Sequence, residues 1–220
     1  MLAKNLITQD IPPLKTSDTG LKALTWMEEF KVSHMPIVNN VDFLGMISDA
    51  DILDMNSPEE AIGTHKLSLI KPFVYENEHI YEIIKLVYKL NLTLLPVLDN
   101  ENRFLGTIPL IQIIKSFAEM SSIKDPGGVV VLEMNPIDYT LSEISRIVEG
   151  NDAKILSSYI STALDSNIIE VTLKINRTDL SAILQTFTRY NYTIKASFHQ
   201  SEFIDEMKDR YDSFMNFMNV

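Results

Sequence analysis

The chain has 220 residues, of which 30 are acidic and 19 are basic, so its formal net charge is −11. So acidic a chain lacks the cationic surface that nucleic-acid phosphates and anionic membranes attract, which argues against both as partners. Cysteine is absent, which excludes disulfides and thiolate chemistry. The sequence shows no signal-peptide pattern and no apolar run of membrane-span length, so we expect a cytoplasmic protein.

The first 120 residues contain a repeat. Hydrophobic periodicity and turn residues predict, in each copy, a helix, two strands and a second helix. The predicted elements are a helix over 21–30, strands over 32–38 and 43–47, a helix over 48–55, an extended piece at 72–74, a helix over 80–90, strands over 94–98 and 103–108, and a helix over 109–120. Pro36 and Pro96 are 60 residues apart, and Gly45 and Gly106 are 61 apart. Such a period indicates duplicated units that bury their faces against each other.

The remainder of the chain shows a different pattern. Residues 121–128 have the composition of a linker. After them the order is strand 129–134, helix 139–148, strands 155–162 and 168–175, a helix carrying apolar residues over 180–187, and strand 193–198. This βαββαβ order is that of the ferredoxin-like arrangement. A final apolar stripe at helical spacing predicts an amphipathic C-terminal helix; it consists of Phe203, Met207, Tyr211, Phe214 and Met218.

The repeat resembles a pair of CBS domains (a Bateman module). The resemblance rests on the apolar-Pro-apolar strands around Pro36 and Pro96, on Gly45 and Gly106, on Ile62-Gly63-Thr64, and on Ser48-Asp49-Ala50-Asp51, which matches the family's Ser/Thr-x-x-Asp. It implies a mixed α+β and α/β fold of tandem βαββα repeats, with a first repeat over 1–60 and a second over 61–122. Residues 128–200 resemble an ACT-type domain in their element order, and 201–220 form the C-terminal helix. This domain order is similar to that of acetoin-utilisation B-type proteins.

Ser48 and Asp51 are the leading candidates for a binding site. They lie one helical turn apart at a helix start, where a carboxylate can accept hydrogen bonds from the two hydroxyls of a ribose. Their spacing alone favours a helix cap followed by a first-turn acid. The CBS resemblance favours the binding role, because family members hold adenosine ribose with this Asp. By position, the resemblance adds an adenine environment made of Met46, Ile47, Thr64, Leu92, Thr93 and Leu94.

The mirror site of the pair is expected to be degenerate. Its helix start carries Pro109 and Gln112 in place of the Ser and Asp. Proline supplies neither a hydroxyl nor an N–H, and glutamine is neutral. The strand residues assigned to this second site are Val32, Ser33, His34 and Met35. We therefore expect one competent site in the chain or none.

No residue pattern supports catalysis or metal binding. The four histidines show no metal-ligand spacing, and no P-loop, GxGxxG or nucleophile elbow is present. The turn after the first strand of the ACT-like part, Asn135 to Tyr139, lacks the glycine that lets an amino acid approach the backbone. We therefore expect no enzyme activity, no required cofactor and no metal, and the missing glycine argues against amino-acid binding.

The favoured hypothesis is a regulatory module that binds AMP, ADP or ATP in the CBS pair and signals to an unidentified protein or metabolic pathway. The resemblance implies a homodimer, formed through the CBS pair and also through edge pairing of the ACT-like sheet. One alternative is a ligand-independent dimerisation or scaffold protein with degenerate sites. Another is a hydrolase or transferase that acts on nucleotides, for which the sequence offers the least support.

Overall fold

The computed structural model describes residues 1–65, 69–162 and 167–198. The chain divides into two compact units, Met1–Ser116 and Phe117–Val220. The predicted C-terminal helix over 201–220 and most of the predicted hairpin connection at 164–167 lie outside the described residues. Each unit has its own hydrophobic core.

The first unit contains the two repeats. Its helices and strands are α1 (Gly20–Phe30), β1 (His34–Asn39), β2 (Asp42–Ser48), α2 (Asp49–Leu53), β3 (Val74–Tyr75), α3 (Ile80–Leu90), β4 (Leu94–Leu98), β5 (Phe104–Pro109) and the start of α4 (Leu110–Met120). Strands β1 and β2 pair antiparallel, as do β4 and β5, and β3 runs parallel to β4. In the first repeat the place of β3 is taken by a single parallel bridge from Leu14 to Ile37. The second repeat is thus the predicted βαββα unit, and the first reduces its opening strand to one bridge.

The first helix of each repeat, α1 or α3, ends in the same way. The residue after α1, Lys31, has φ 56°, and the residue after α3, Asn91, has φ 51°. Their backbone N–H groups donate to the carbonyls of Met27 and Val87. This left-handed cap satisfies the last carbonyls of the helix and turns the chain into the next strand.

The core of each repeat is completed by a segment that comes earlier or later in the chain. Ala3 and Leu6 are buried in the core of the second repeat, whereas Ile62 is buried in the core of the first. The N–H of Thr8 donates to the carbonyl of Thr107 at 2.8 Å, which adds the N-terminal segment to β5. The N–H of Met46 donates to the carbonyl of Ile70 at 2.8 Å, which adds the segment before β3 to β2. The two cores are therefore interleaved along the chain. The repeat limits predicted from the sequence pattern stay a prediction.

Gly45 and Gly106 allow these added segments to approach. Both have a positive φ, 153° and 151°, which side chains rarely adopt. A Cβ at Gly45 would lie 2.7 Å from Cβ of Leu69, and one at Gly106 would lie 2.5 Å from Cγ2 of Ile7. The repeated glycine is therefore required by close backbone packing as well as by conformation.

The second unit has the predicted βαββαβ order. Its elements after α4 are β6 (Gly128–Met134), α5 (Leu141–Glu149), β7 (Ile155–Thr162), β8 (Ile169–Ile175), α6 (Ser181–Arg189) and β9 (Thr193–Phe198). The strand order is β7-β8-β6-β9 and every pairing is antiparallel, which is the ferredoxin-like topology. One apolar core lies between the sheet and both helices, with Val130, Ile144 and Phe187 fully buried in it.

Candidate functional site

Ser48 and Asp51 form a closed capping box at the start of α2. The backbone N–H and the hydroxyl of Ser48 donate to Oδ2 of Asp51 at 2.8 and 2.6 Å, and the N–H of Asp51 donates back to Oγ of Ser48 at 3.1 Å. Among the described residues, no hydrogen bond reaches the other carboxylate oxygen of Asp51. The pair therefore caps the helix and still offers one acceptor oxygen.

The start of β1 lies against this helix terminus. His34 is opposite Ser48 in the β1–β2 ladder, and the N–H of Asp49 donates to the carbonyl of Ser33 at 3.1 Å. Sequence reasoning assigned Ser33 and His34 to the mirror site and missed this proximity. The antiparallel register of the hairpin, which brings the start of one strand to the end of the next, is the signal that could have revealed it.

Thr93 connects the two repeats at this point. Its Oγ1 accepts a hydrogen bond from the N–H of Ser33 at 2.9 Å and lies 3.2 Å from Nδ1 of His34. Because Nδ1 of a neutral histidine can accept, the Thr93 hydroxyl can donate to it while accepting from Ser33. Thr93 was predicted for the site, and the structure brings it within hydrogen-bonding distance of the strand next to Ser48.

His34, beside Thr93, has a shifted pKa. Burial lowers the pKa of His34 below its ordinary value, because desolvation disfavours the imidazolium, while the negative charges of Asp49 and Asp51 act in the opposite direction. The balance favours a neutral ring beside Thr93.

The apolar residues predicted for the candidate site and for the degenerate second site are core residues. Each is less than 8% exposed; they are Val32, Met35, Met46, Ile47, Leu92 and Leu94. Leu94, although it belongs to the second repeat, packs in the core of the first. In this conformation these residues offer almost no surface to a ligand.

Thr64 lies in a different environment. It ends a 3-10 turn, Ile62–Thr64, and its hydroxyl donates to the carbonyl of Ala61 at 2.7 Å. The N–H of Gly63 donates to Thr16 O at 2.8 Å, so the turn is held against the segment before α1. No hydrogen bond within the described part of the chain joins Thr64 to Ser48, Asp51 or Thr93.

The mirror position in the second repeat has no such cap. Pro109 ends β5 opposite Leu94, and the N–H of Leu110 donates to the carbonyl of Thr93 at 3.0 Å. Gln112 makes no hydrogen bond through its side chain to another described residue. The two helix starts therefore share their backbone geometry and differ in chemistry.

The described residues include no group of three or more His, Cys, Asp or Glu side chains that could hold a metal ion. Among the helices of the described ranges, none is both long enough and apolar enough to cross a membrane.

The family model for the CBS domain matches residues 3–57 and 69–119. The first unit of this chain, which contains both repeats, is therefore a pair of CBS domains. The chain is 28% identical over 143 residues to an inosine-5'-monophosphate dehydrogenase of Methanocaldococcus jannaschii, a match that covers 62% of this chain. It spans 28% of the length of that enzyme and 47% of a second curated relative, an uncharacterised protein of the same archaeon.

Solved structures with a similar fold include a CBS domain pair/ACT domain protein from Thermotoga maritima. It is 27% identical, with a TM-score of 0.48 over 54% of this chain and 98% of that chain. A structure of CBSX2 in complex with AMP is 18% identical, with a TM-score of 0.46 over 54% of this chain and 96% of that chain.

Proposed function

We propose that this protein is a regulatory sensor whose CBS pair binds one adenosine nucleotide (AMP, ADP or ATP) beside Asp51. The observation that carries the proposal is the position of the Ser48–Asp51 capping box directly beside the contact between the repeats. A ribose diol can donate to the free carboxylate oxygen of Asp51, and charge-assisted hydrogen bonds of this kind are short and strong. The strand that carries His34 links this position to Thr93 of the other repeat.

A ligand at this position acts on the relative arrangement of the repeats. It would lie next to Ser33 and His34 of one repeat and Thr93 of the other, whose hydrogen bonds form part of their contact. Binding shifts the equilibrium between two arrangements by no more than the difference in its affinity for them. In the proposed mechanism this shift reaches the ferredoxin-like unit, whose element order we assign to the ACT type, and then the regulated partner.

We further propose that the protein is a homodimer in which the CBS pair supplies the contact. Support comes from the exposed apolar face of the second repeat, where Tyr88, Ile111 and Ile114 are 84%, 57% and 55% exposed. A cleft of about 370 Å³ in the same repeat is lined by Tyr88, Leu92 and Leu110 among others. Sedimentation of an Ile111→Glu, Ile114→Glu variant tests this, with Leu53→Glu, also on an exposed apolar residue, as the control.

The test of nucleotide binding is calorimetric titration of the full chain with AMP, ADP, ATP and adenosine. Asp51→Asn is the informative variant, because the asparagine oxygen can still accept from Ser48. The substitution removes the negative charge that strengthens the hydrogen bonds from the ribose hydroxyls. We expect a loss of about 1.5–3 kcal/mol, or roughly ten- to a hundredfold in affinity. Asp49→Asn removes a charge two residues before Asp51, and its nucleotide affinity should stay within about threefold of that of the wild type.

Two results would overturn the nucleotide proposal. One is the absence of heat with every adenosine compound at millimolar concentration. The other is equal loss in Asp49→Asn and Asp51→Asn, which would indicate general electrostatics without a ribose contact.

A ligand-independent scaffold is the second candidate function, and the closed capping box favours it. Ser48 and Asp51 hydrogen-bond to each other and cap α2, and the surrounding apolar side chains are buried. All of these residues therefore have a structural role that needs no ligand. A melting temperature that is unaffected by all nucleotides, together with an unchanged dimer, would support this candidate over the sensor.

A further inference from the structure

A small cleft on the helical side of the ferredoxin-like unit contains two arginines. It has a volume of about 300 Å³ and lies where α5 and α6 end. Its lining residues are Arg146, Ile147, Gly150, Asn151, Thr186, Arg189 and Tyr190, and none of them is acidic. In a chain of net charge −11, this concentration of positive charge is unusual.

Neither arginine of the cleft is paired. Of the four arginines in the described ranges, Arg103 forms ion pairs with Asp99 and Glu101, and Arg177 donates to the carbonyl of Asp152. Arg146 and Arg189 form no ion pair or side-chain hydrogen bond with any described residue. Their five N–H donors each are therefore free for a ligand.

The acidic residues of α5 are engaged away from the cleft. Glu149 forms an ion pair of 3.1 Å with Lys154. Glu143 lies next to Tyr192, whose pKa it raises together with burial of the phenol, while Arg146 has the opposite effect on that pKa. Neither carboxylate lines the cleft.

The floor of the cleft is held in place by hydrogen bonds. The side-chain amide of Asn151 donates to the carbonyl of Ile147 at 2.8 Å and to Oγ1 of Thr186 at 3.3 Å, which ties the end of α5 to α6. The guanidinium of Arg189 lies 5.7 Å from the centre of the Tyr190 ring, a cation–π distance that favours one orientation. Both arginines and Tyr190 thus line a cleft that no carboxylate lines.

We propose that this cleft is a binding site for a phosphate-type oxyanion, either inorganic phosphate or the phosphate group of a small metabolite. The planar donor fork of a guanidinium matches the geometry of phosphate oxygens and can bind them in a bidentate manner. The site is separate from the one beside Asp51 and does not depend on it.

A simpler role for each arginine is to compensate the partial negative charge at the end of its helix. That role predicts a change in stability on substitution without any dependence on phosphate. The two roles therefore differ in a measurable way.

The test is titration of the full chain with inorganic phosphate, followed by calorimetry and by amide chemical shifts of Asn151 and Thr186. We expect millimolar or tighter binding that weakens with added sodium chloride, and a loss of roughly tenfold in each of Arg146→Gln and Arg189→Gln. Lys195→Gln, which removes a positive charge from the sheet, where Lys195 pairs with Glu170, should bind phosphate like wild type.

The proposal is overturned by the absence of phosphate binding at tens of millimolar, or by a loss in Lys195→Gln as large as in the arginine variants. Equal binding of succinate would also overturn the assignment to phosphate-type anions. Comparing glucose 6-phosphate with inorganic phosphate separates the two sources: tighter binding of the ester indicates a metabolite, and tighter binding of the free ion indicates phosphate itself.

Discussion

The backbone N–H of Ser33 donates a 2.9 Å hydrogen bond to Oγ1 of Thr93, the residue 60 positions further along the chain. Since Pro36 and Pro96 have the same separation, Ser33 and Thr93 are equivalent positions in the two repeats. The two repeats therefore contact each other at equivalent positions, and the hydroxyl of the second repeat accepts a hydrogen bond from the backbone of the first. Each candidate ligand position, beside Ser48 or beside Pro109, adjoins this contact.

Replacement of Thr93 by valine should weaken the CBS pair. The variant keeps the shape of the side chain but leaves the half-buried N–H of Ser33 without its acceptor, at an expected cost of about 1–2 kcal/mol in the free energy of unfolding. Urea unfolding of Thr93→Val and of Thr93→Ser measures this. The serine variant keeps the hydroxyl and should retain most of the stability; a larger loss in the serine variant than in the valine variant would show that methyl packing dominates.

The same substitution at Thr107 should have the opposite effect. Thr107 is fully buried in β5, and its Oγ1 has no hydrogen-bond partner among the described residues. Burying an unpaired hydroxyl is unfavourable, and valine has nearly the same volume. We expect Thr107→Val to raise the free energy of unfolding by about 1 kcal/mol, measured in the same urea series. A loss of that size would instead indicate that the hydroxyl has a partner.

Much of the fold could be predicted from the sequence, because local periodicity and turn residues determine where elements begin and end. Strands β7 and β9 have the predicted limits, and α4 begins one residue later than predicted. Helix α2 is shorter than predicted and ends at Leu53; the capping box fixes its start, whereas its last turn has no basic residue to compensate the helix dipole. Local signals thus identify element type better than length.

The arrangement of the site could be predicted only in part. The Ser48–Asp51 spacing identified the helix start, since a cap is a local interaction. The contact of Ser33 with Thr93 and the interleaving of Ala3 and Ile62 between the cores depend on tertiary packing of distant segments. A single sequence contains no local pattern for such contacts.

The titration of His34 should make the stability of the CBS pair depend on pH. Burial lowers the pKa of His34 below the ordinary 6.5, so below that pH the unfolded chain binds more protons than the folded one. Stability is then lost as the pH falls from about 6.5. In His34→Gln, which keeps a polar side chain near Thr93, the slope of unfolding free energy against pH should be smaller in this range.

The control for this measurement is His79→Gln, since His79 caps α3 away from the Ser33–Thr93 contact. It should leave the slope below pH 6.5 as in wild type. An unchanged slope in His34→Gln would show that another group causes the dependence.

Gly106→Ala should destabilise the second repeat. The new Cβ would lie 2.5 Å from Cγ2 of Ile7 and 3.1 Å from the carbonyl oxygen of Thr8, at a φ of 151°. Strain of this type costs about 1–3 kcal/mol, and relief requires the N-terminal segment to move away from β5. Thermal unfolding measures the loss, and hydrogen exchange of the Thr8 amide should increase. Gly45→Ala is the matched variant in the first repeat and should have a similar effect, with increased exchange at Met46.

Restoration of the capping box in the second repeat tests the repeat argument directly. Pro109 and Gln112 correspond to Ser48 and Asp51 by the 61-residue offset of Gly45 and Gly106, and Leu110 already donates to Thr93 O as Asp49 does to Ser33 O. In the variant Pro109→Ser, Gln112→Asp, a cap can form on α4, which should raise the free energy of unfolding by about 1 kcal/mol. If the sensor proposal is correct, calorimetry should then give two adenosine-nucleotide sites per chain where the wild type gives one. A stabilised variant that still binds one nucleotide would show that a cap is insufficient for a site, and would locate the specificity in residues outside the Ser-x-x-Asp pattern.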